Sequence, residues 1–126
     1  MTNEKNVQHY KEQMINTMTP GELLLLLYDE LIKRLTQAEL ALDKQMFSVF
    51  EDSVQRGIEI VDYLDATLDR SYPISAELTR LYEYFIYELN RAKIGRNKKV
   101  LAHVKEKADE LRGAFRVAQK DGESHR

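Results

Sequence analysis

The stretch MTPGELLLLLYDELIKRLTQAELAL, Met18 to Leu42, decides the fold. Thr19 can cap a helix, Pro20 suits its first turn because an N–H there has no partner anyway, and Glu22 completes a Thr-x-x-Glu capping box. Leu24, Leu27, Tyr28, Leu31, Leu35, Ala38 and Leu42 recur at three- and four-residue spacing, the stripe of a helix that packs along one side. Leu23, Leu25 and Leu26 fall off that stripe, so the first turns are apolar almost all round. One seam does not use that much surface. Either several bundle neighbours bury the excess, or a partner or the chain's own N-terminus covers it.

Downstream, Asp43 reads as the cap of a second helix reaching about Leu68, with its stripe on Phe50, Val54, Gly57/Ile58, Val61, Leu64 and Leu68. Met46, Phe47, Val49 and Ile60 lie off the stripe, a second apolar surplus. Gly57 in mid-helix costs about 1 kcal/mol relative to alanine, which a close helix crossing or a closely approaching ligand helix would explain. Pro73 biases Tyr72 away from helix, so Asp69–Pro73 is a break. Ser75 then caps a third helix, about Ala76 to Ala92, with its stripe on Leu78, Leu81/Tyr82, Phe85 and Leu89. Tyr84, Ile86 and Tyr87 widen that stripe, and tyrosine hydroxyls suit a wet interface as well as a core edge. Gly95-Arg96-Asn97 turns the chain into a fourth helix capped by Asn97. Its narrow seam is Leu101, Val104, Ala108, Leu111, Phe115 and Ala118, the pattern of a helix buried on one side.

Short turns between four helices predict an all-α, antiparallel up-down four-helix bundle over residues 18–120. Residues 1–17 are polar apart from Val7, Tyr10, Met14 and Ile15, and read as a tail or a docked strap. Residues 121–126 read as a frayed tail. The chain has 126 residues, 43% hydrophobic and 32% charged, with a net charge of −2 and no cysteine. Such a chain is one domain with no disulfide staple, and it fits a cytoplasmic address. No apolar run is long enough to insert in a membrane and no signal peptide is recognisable. The weak net negative charge argues against general nucleic-acid affinity.

Charge is unevenly spread. Asp43 to Asp69 holds seven acids against two bases, net −5, and Arg91 to Lys120 holds ten bases against three acids, net +7. Such asymmetry helps helices choose neighbours or steers a partner, though a solvated surface is its commoner meaning. Five bases within Arg91–Lys99 lack interleaved aromatics and span a turn, so they too read as solvated.

Catalytic patterns are missing. The three histidines (His9, His103, His125) have no metal-ligand spacing, and there is neither a Gly-rich phosphate loop nor a nucleophile elbow. His103 lies on a bundle helix, as a phosphorylatable histidine would. The residues following it include Glu106, however, and an acid beside a phosphate repels it. No enzyme activity and no cofactor are expected. Surplus apolar surface without catalytic groups describes a binding module whose ligand is itself an amphipathic helix lying between bundle helices.

The residues also resemble a known family, the flagellar secretion chaperones of the FliS type. The likeness is carried by Tyr10-x4-Ile15-x-Thr17-x-Thr19-Pro20-x-Glu22-Leu23-Leu24-x2-Leu27-Tyr28-Asp29-x2-Ile32-x2-Leu35-x2-Ala38, by Ile60-x3-Leu64-x3-Leu68-Asp69, and by Leu78-x2-Leu81-Tyr82-x-Tyr84 followed by Leu89-x2-Ala92. The Thr-Pro-x-x-Leu…Leu-Tyr-Asp segment is the most specific. The resemblance implies a cytoplasmic export chaperone that wraps the C-terminal segment of flagellin, blocks its premature polymerisation and hands it to the export gate of the flagellar type III system. It also implies that the N-terminal segment, through Tyr10 and Ile15, covers part of the groove and can be displaced. Leu23, Leu26, Tyr28, Ile58, Val61, Tyr82 and Phe85 are the candidate groove lining, in a monomer or weak dimer. The alternative is a self-associating structural bundle whose extra leucines form a homodimer seam.

Overall fold

The computed structural model describes residues 18–124. These form four α-helices: α1 (Pro20–Asp43), α2 (Phe47–Ala66), α3 (Ile74–Gly95) and α4 (Lys98–Ser124). Successive helices lie side by side and α4 returns to α1, closing a four-membered ring in which α3 and α4 make the sparsest pairing. This is the expected up-down antiparallel bundle.

The helix starts follow local chemistry. Thr19 is extended, and its Oγ1 accepts a hydrogen bond from the Glu22 amide at 3.1 Å, with Pro20 in the first turn. Asn97 caps α4, its Oδ1 accepting from the Val100 amide at 3.2 Å. Asp43 does not cap α2. It is the last residue of α1, the chain reverses through Lys44–Met46 with Gln45 in the left-handed region (φ 57°), and α2 begins at Phe47 without a side-chain cap. An acid after a leucine run looks alike in sequence whether it ends one helix or opens the next. Ser75 is likewise no cap: α3 starts at Ile74, and Ser75 is buried within its first turn. The break before it is an Asx turn, in which Asp69 Oδ1 accepts from the amide and hydroxyl of Ser71 at 3.0 and 2.6 Å. At the far end α4 stays helical to Ser124, past the expected fraying point at Asp121.

The core takes Tyr28, Leu31, Leu35 and Ala38 from α1, Phe50, Val54, Val61 and Leu64 from α2, Tyr82, Phe85 and Leu89 from α3, and Leu101, Val104 and Ala108 from α4. Gly57 sits at a close α1–α2 crossing, where an added Cβ would lie 3.1 Å from Leu35 Cδ2. The crossing, not a ligand helix, accounts for that glycine.

Part of the basic block of α4 is met by acids of α1, but only Asp43 of the Asp43–Asp69 acids takes part. Lys98–Asp43 (2.7 Å), Lys105–Glu39 (2.8 Å) and Arg112–Asp29 (2.7 Å) form a ladder between α4 and α1. Four of the five bases of the third turn also have internal partners. Arg91 pairs with Glu88, Lys93 donates to Gln55, Lys98 pairs with Asp43, and the Arg96 guanidinium lies 3.6 Å from the centre of the Phe47 ring. These pairs define which helices are neighbours; exposed ion pairs contribute little to stability.

Candidate partner-binding face

From Tyr28 to Ala38 the α1 stripe is sealed, but all five leucines before it, and Leu42 at its end, are only half-buried. At this end of the bundle the start of α1, the end of α2, the start of α3 and the late part of α4 surround an apolar cavity of about 380 Å³. Leu23, Leu24 and Leu27 form one wall, Leu64 and Leu68 another, Ile74 and Leu78 a third, and Phe115 the fourth, with Tyr82 beneath.

Polar anchoring of the cavity is minimal and internal. The hydroxyls of Tyr28 and Tyr82 share a hydrogen bond of 2.7 Å with both residues fully buried. Burial raises both phenol pKa values above the ordinary tyrosine range, so both rings remain neutral. Phe115 lies against Tyr28, ring centres 5.6 Å apart and tilted by 37°. Above it, Gln119 Nε2 donates to the Gly21 carbonyl at 2.7 Å. A Cβ on Gly21 would stand 2.8 Å from that amide nitrogen, so a side chain there would push the end of Gln119 aside.

The apolar surface continues out of the cavity. Leu27 belongs both to the cavity and to a shallow hollow of about 390 Å³ between α1 and α2, shared with Ile60 and Tyr63. Arg34 and Arg56 connect that hollow to a second one of about 440 Å³, which holds Leu40, Ala41, Met46 and Val49. The result is one furrow along α1 and α2. A larger opening of about 680 Å³ between α2 and α3 is lined by Ser48, Glu51, Asp52, Gln55, Lys93 and Arg96. Its polar walls do not suit an apolar ligand.

Of the residues expected to line a groove, Leu23 and Tyr82 border the cavity. Leu26 is half-buried and borders neither the cavity nor the furrow. Tyr28, Ile58, Val61 and Phe85 are core residues, because their helix faces meet other bundle helices and leave no side for a guest. Tyr10 and Ile15 lie outside the described residues. The cavity is also lined by Leu24, Leu27, Leu64, Leu68, Ile74 and Phe115, which sequence reasoning did not single out; all but the exposed Ile74 sit on regular core stripes. The available signal was positional: they fall where helix ends meet.

His103 is exposed on α4, and among the described residues no cluster of acidic or histidine side chains could hold a metal ion. Among them, too, no helix is long and apolar enough to cross a membrane.

Residues 1–122 match the family model described as flagellar protein FliS. The chain is 29% identical over 109 residues to the flagellar secretion chaperone FliS of Bacillus subtilis (strain 168), an alignment that spans 86% of this chain and 82% of the relative. The fold also superposes on a bacterial flagellar chaperone known from a crystal structure, with a TM-score of 0.78 at 17% identity, covering 94% of this chain and 98% of the other. By the family-model match the chain belongs to the FliS family of flagellar secretion chaperones, a family of chaperones and not of enzymes.

Proposed function

We propose that this protein is a cytoplasmic export chaperone for flagellin. It holds the C-terminal segment of the unpolymerised subunit, masks its assembly surface and delivers it to the export gate of the flagellar type III system. The observation that carries this reading is the run of apolar hollows from the cavity beside Leu23 and Leu27, past Ile60 and the charged crossing at Arg34 and Arg56, to Leu40, Met46 and Val49. From Leu23 to Leu40 that path is about 25 Å long at the helical rise, room for roughly four to five turns of a guest helix. Guest side chains at three- and four-residue spacing would enter the cavity and the two hollows.

Binding of this kind needs no nucleotide and no metal, since its driving force is removal of apolar surface from water. On the family likeness, Tyr10 and Ile15 serve as the displaceable strap over the same surface. Calorimetric titration with a flagellin C-terminal peptide tests the proposal. The expected result is saturable heat with a negative heat-capacity change. Absence of both heat and a mobility shift at roughly tens of micromolar would end it.

A further inference from the structure

The link between α2 and α3 is an exposed loop tied down from both sides. Within it, Asp69 Oδ1 accepts from the hydroxyl and amide of Ser71, which holds that carboxyl below the usual carboxylate range. Across it, the Arg70 guanidinium bridges the two helices. It donates to the Asp65 carbonyl at 3.0 Å and to the Asp65 carboxylate at 3.3 Å on α2, and to the Thr79 hydroxyl on α3. That hydroxyl in turn donates to the same carboxylate at 3.0 Å. Pro73 fixes one more backbone angle. Exposed ion pairs contribute little to stability, so this much ordering of a loop has another use. The segment it holds carries two large apolar side chains, Tyr72 and Ile74, 62% and 54% exposed, and both border the apolar cavity. One exposed apolar residue is commonplace; two that continue a cavity form a patch.

We propose that Tyr72 and Ile74 form a lip that grips the guest helix where it enters the cavity, and that Arg70 is the residue that positions them. The inference rests on the reading of this chain as a chaperone for the C-terminal segment of flagellin, and names a further part of the same site. Helices α1 and α3 stand across the ring from each other, so the lip at the start of α3 faces the wall made by Leu23 and Leu24 over the cavity mouth. A guest side chain entering there is held from opposite sides. Tyr72, Ile74, Leu23 and Leu24 offer it no charge, so the side chain they take is a large aliphatic or aromatic one. The clamp sets the lip before the guest arrives, and the cost of ordering the loop falls on folding instead of binding. Arg70 does not border the cavity, so it acts only through the residues it holds.

Calorimetric titration of the full chain with a flagellin C-terminal peptide tests both parts. Tyr72→Ala with Ile74→Ala is expected to weaken binding about tenfold or more, and Arg70→Ala about threefold to tenfold. Adding Arg70→Ala to the chain that already lacks Tyr72 and Ile74 is expected to cost nothing further, as a residue acting only through the lip requires. Arg70→Lys keeps the charge but loses the fork that spans Asp65 and Thr79, so it is expected to bind like Arg70→Ala. All three side chains are exposed, and urea midpoints measured alongside are expected to shift little. Lip variants that bind as the native chain does, while Leu23→Glu with Leu27→Glu weakens binding, would overturn the lip alone. An Arg70→Ala loss that persists undiminished without the lip, or full affinity in Arg70→Lys, would overturn the positioning role. No binding by the native chain at roughly tens of micromolar would overturn the chaperone reading, and the lip's guest with it.

Discussion

The two ends of this bundle are built from the same residue types and behave differently. Toward the end where α1 meets α2 and α3 meets α4, Leu35, Ala38, Phe50, Val54 and Leu101 are sealed. The joints there are short, Lys44–Met46 and Arg96–Asn97, and the Lys98–Asp43 pair spans them. At the opposite end the α2–α3 link is seven residues long, and α1 starts and the described part of α4 finishes there. There Leu23, Leu24, Leu27, Leu68 and Phe115 are half-buried around a cavity and Ala118 is exposed. A heptad stripe dictates which side of a helix turns inward. Whether anything meets it there depends on how tightly the chain holds the neighbouring helix ends.

The largest expected effect separates the two ends by stability. Leu35→Ala should lower unfolding stability by about 2–5 kcal/mol, and Gly57→Leu, which overpacks the same crossing, by about 1–3 kcal/mol or more. Leu27→Ala should cost about 1 kcal/mol or less, because part of that side chain is already in water. Urea unfolding of the three variants checks the contrast. Equal losses for Leu35→Ala and Leu27→Ala would erase it.

Affinity should sort the ends the other way round. Leu23→Glu with Leu27→Glu is expected to weaken binding of a flagellin C-terminal peptide by about thirtyfold or more, a loss of about 2 kcal/mol, with little change in the unfolding midpoint. Leu40→Glu, at the far hollow, should give a smaller loss. If both variants bind like the native chain, the furrow is not the contact surface.

A third test uses the Tyr28–Tyr82 pair. Both phenols are raised in the folded protein, so the native state holds their protons more tightly than the unfolded chain. Their contribution is complete below the unfolded phenol pKa of about 10 and is lost as pH rises from there toward the folded values, by about 1 kcal/mol per pH unit for each ring at most. Urea midpoints measured from pH 8 to 11 should fall above pH 10. Tyr82→Phe should flatten that fall. The smallest effect belongs to the ladder between α4 and α1: Lys98→Ala should leave the unfolding midpoint within error at moderate salt.

The fold was legible in the sequence and the site only partly so, for a common reason. Thr19, Pro20 and Asn97 act through atoms three or four residues away, and such local chemistry can be read directly. The heptad stripes likewise gave the four helices and their inward faces. Asp43 misleads because an acid at a helix joint is the usual opening residue of the next helix, whereas here it only ends the first, and the three-residue reversal after it decides between them. Tyr28, Ile58, Val61 and Phe85 were assigned to a groove because a helix carries no record of how many neighbours will cover it. Leu24 and Phe115 were missed for the converse reason: they are seam residues whose neighbours stop short. Leu23, which borders the cavity, stands out in the sequence because it lies off the stripe, where excess is visible without a partner.

Gln45 and Arg96, one in each short joint, both hold left-handed backbone conformations without being glycine. Side chains other than glycine resist that conformation by about 1–2 kcal/mol, so the sealed pole stores a reserve that evolution has left unclaimed. Arg96 keeps something in exchange through its stacking on Phe47. Gln45 has no comparable side-chain tie among the described hydrogen bonds, so Gln45→Gly is the substitution by which a thermally hardened version of this scaffold should begin, with guest affinity measured alongside because Lys44 and Met46 on either side line the far hollow.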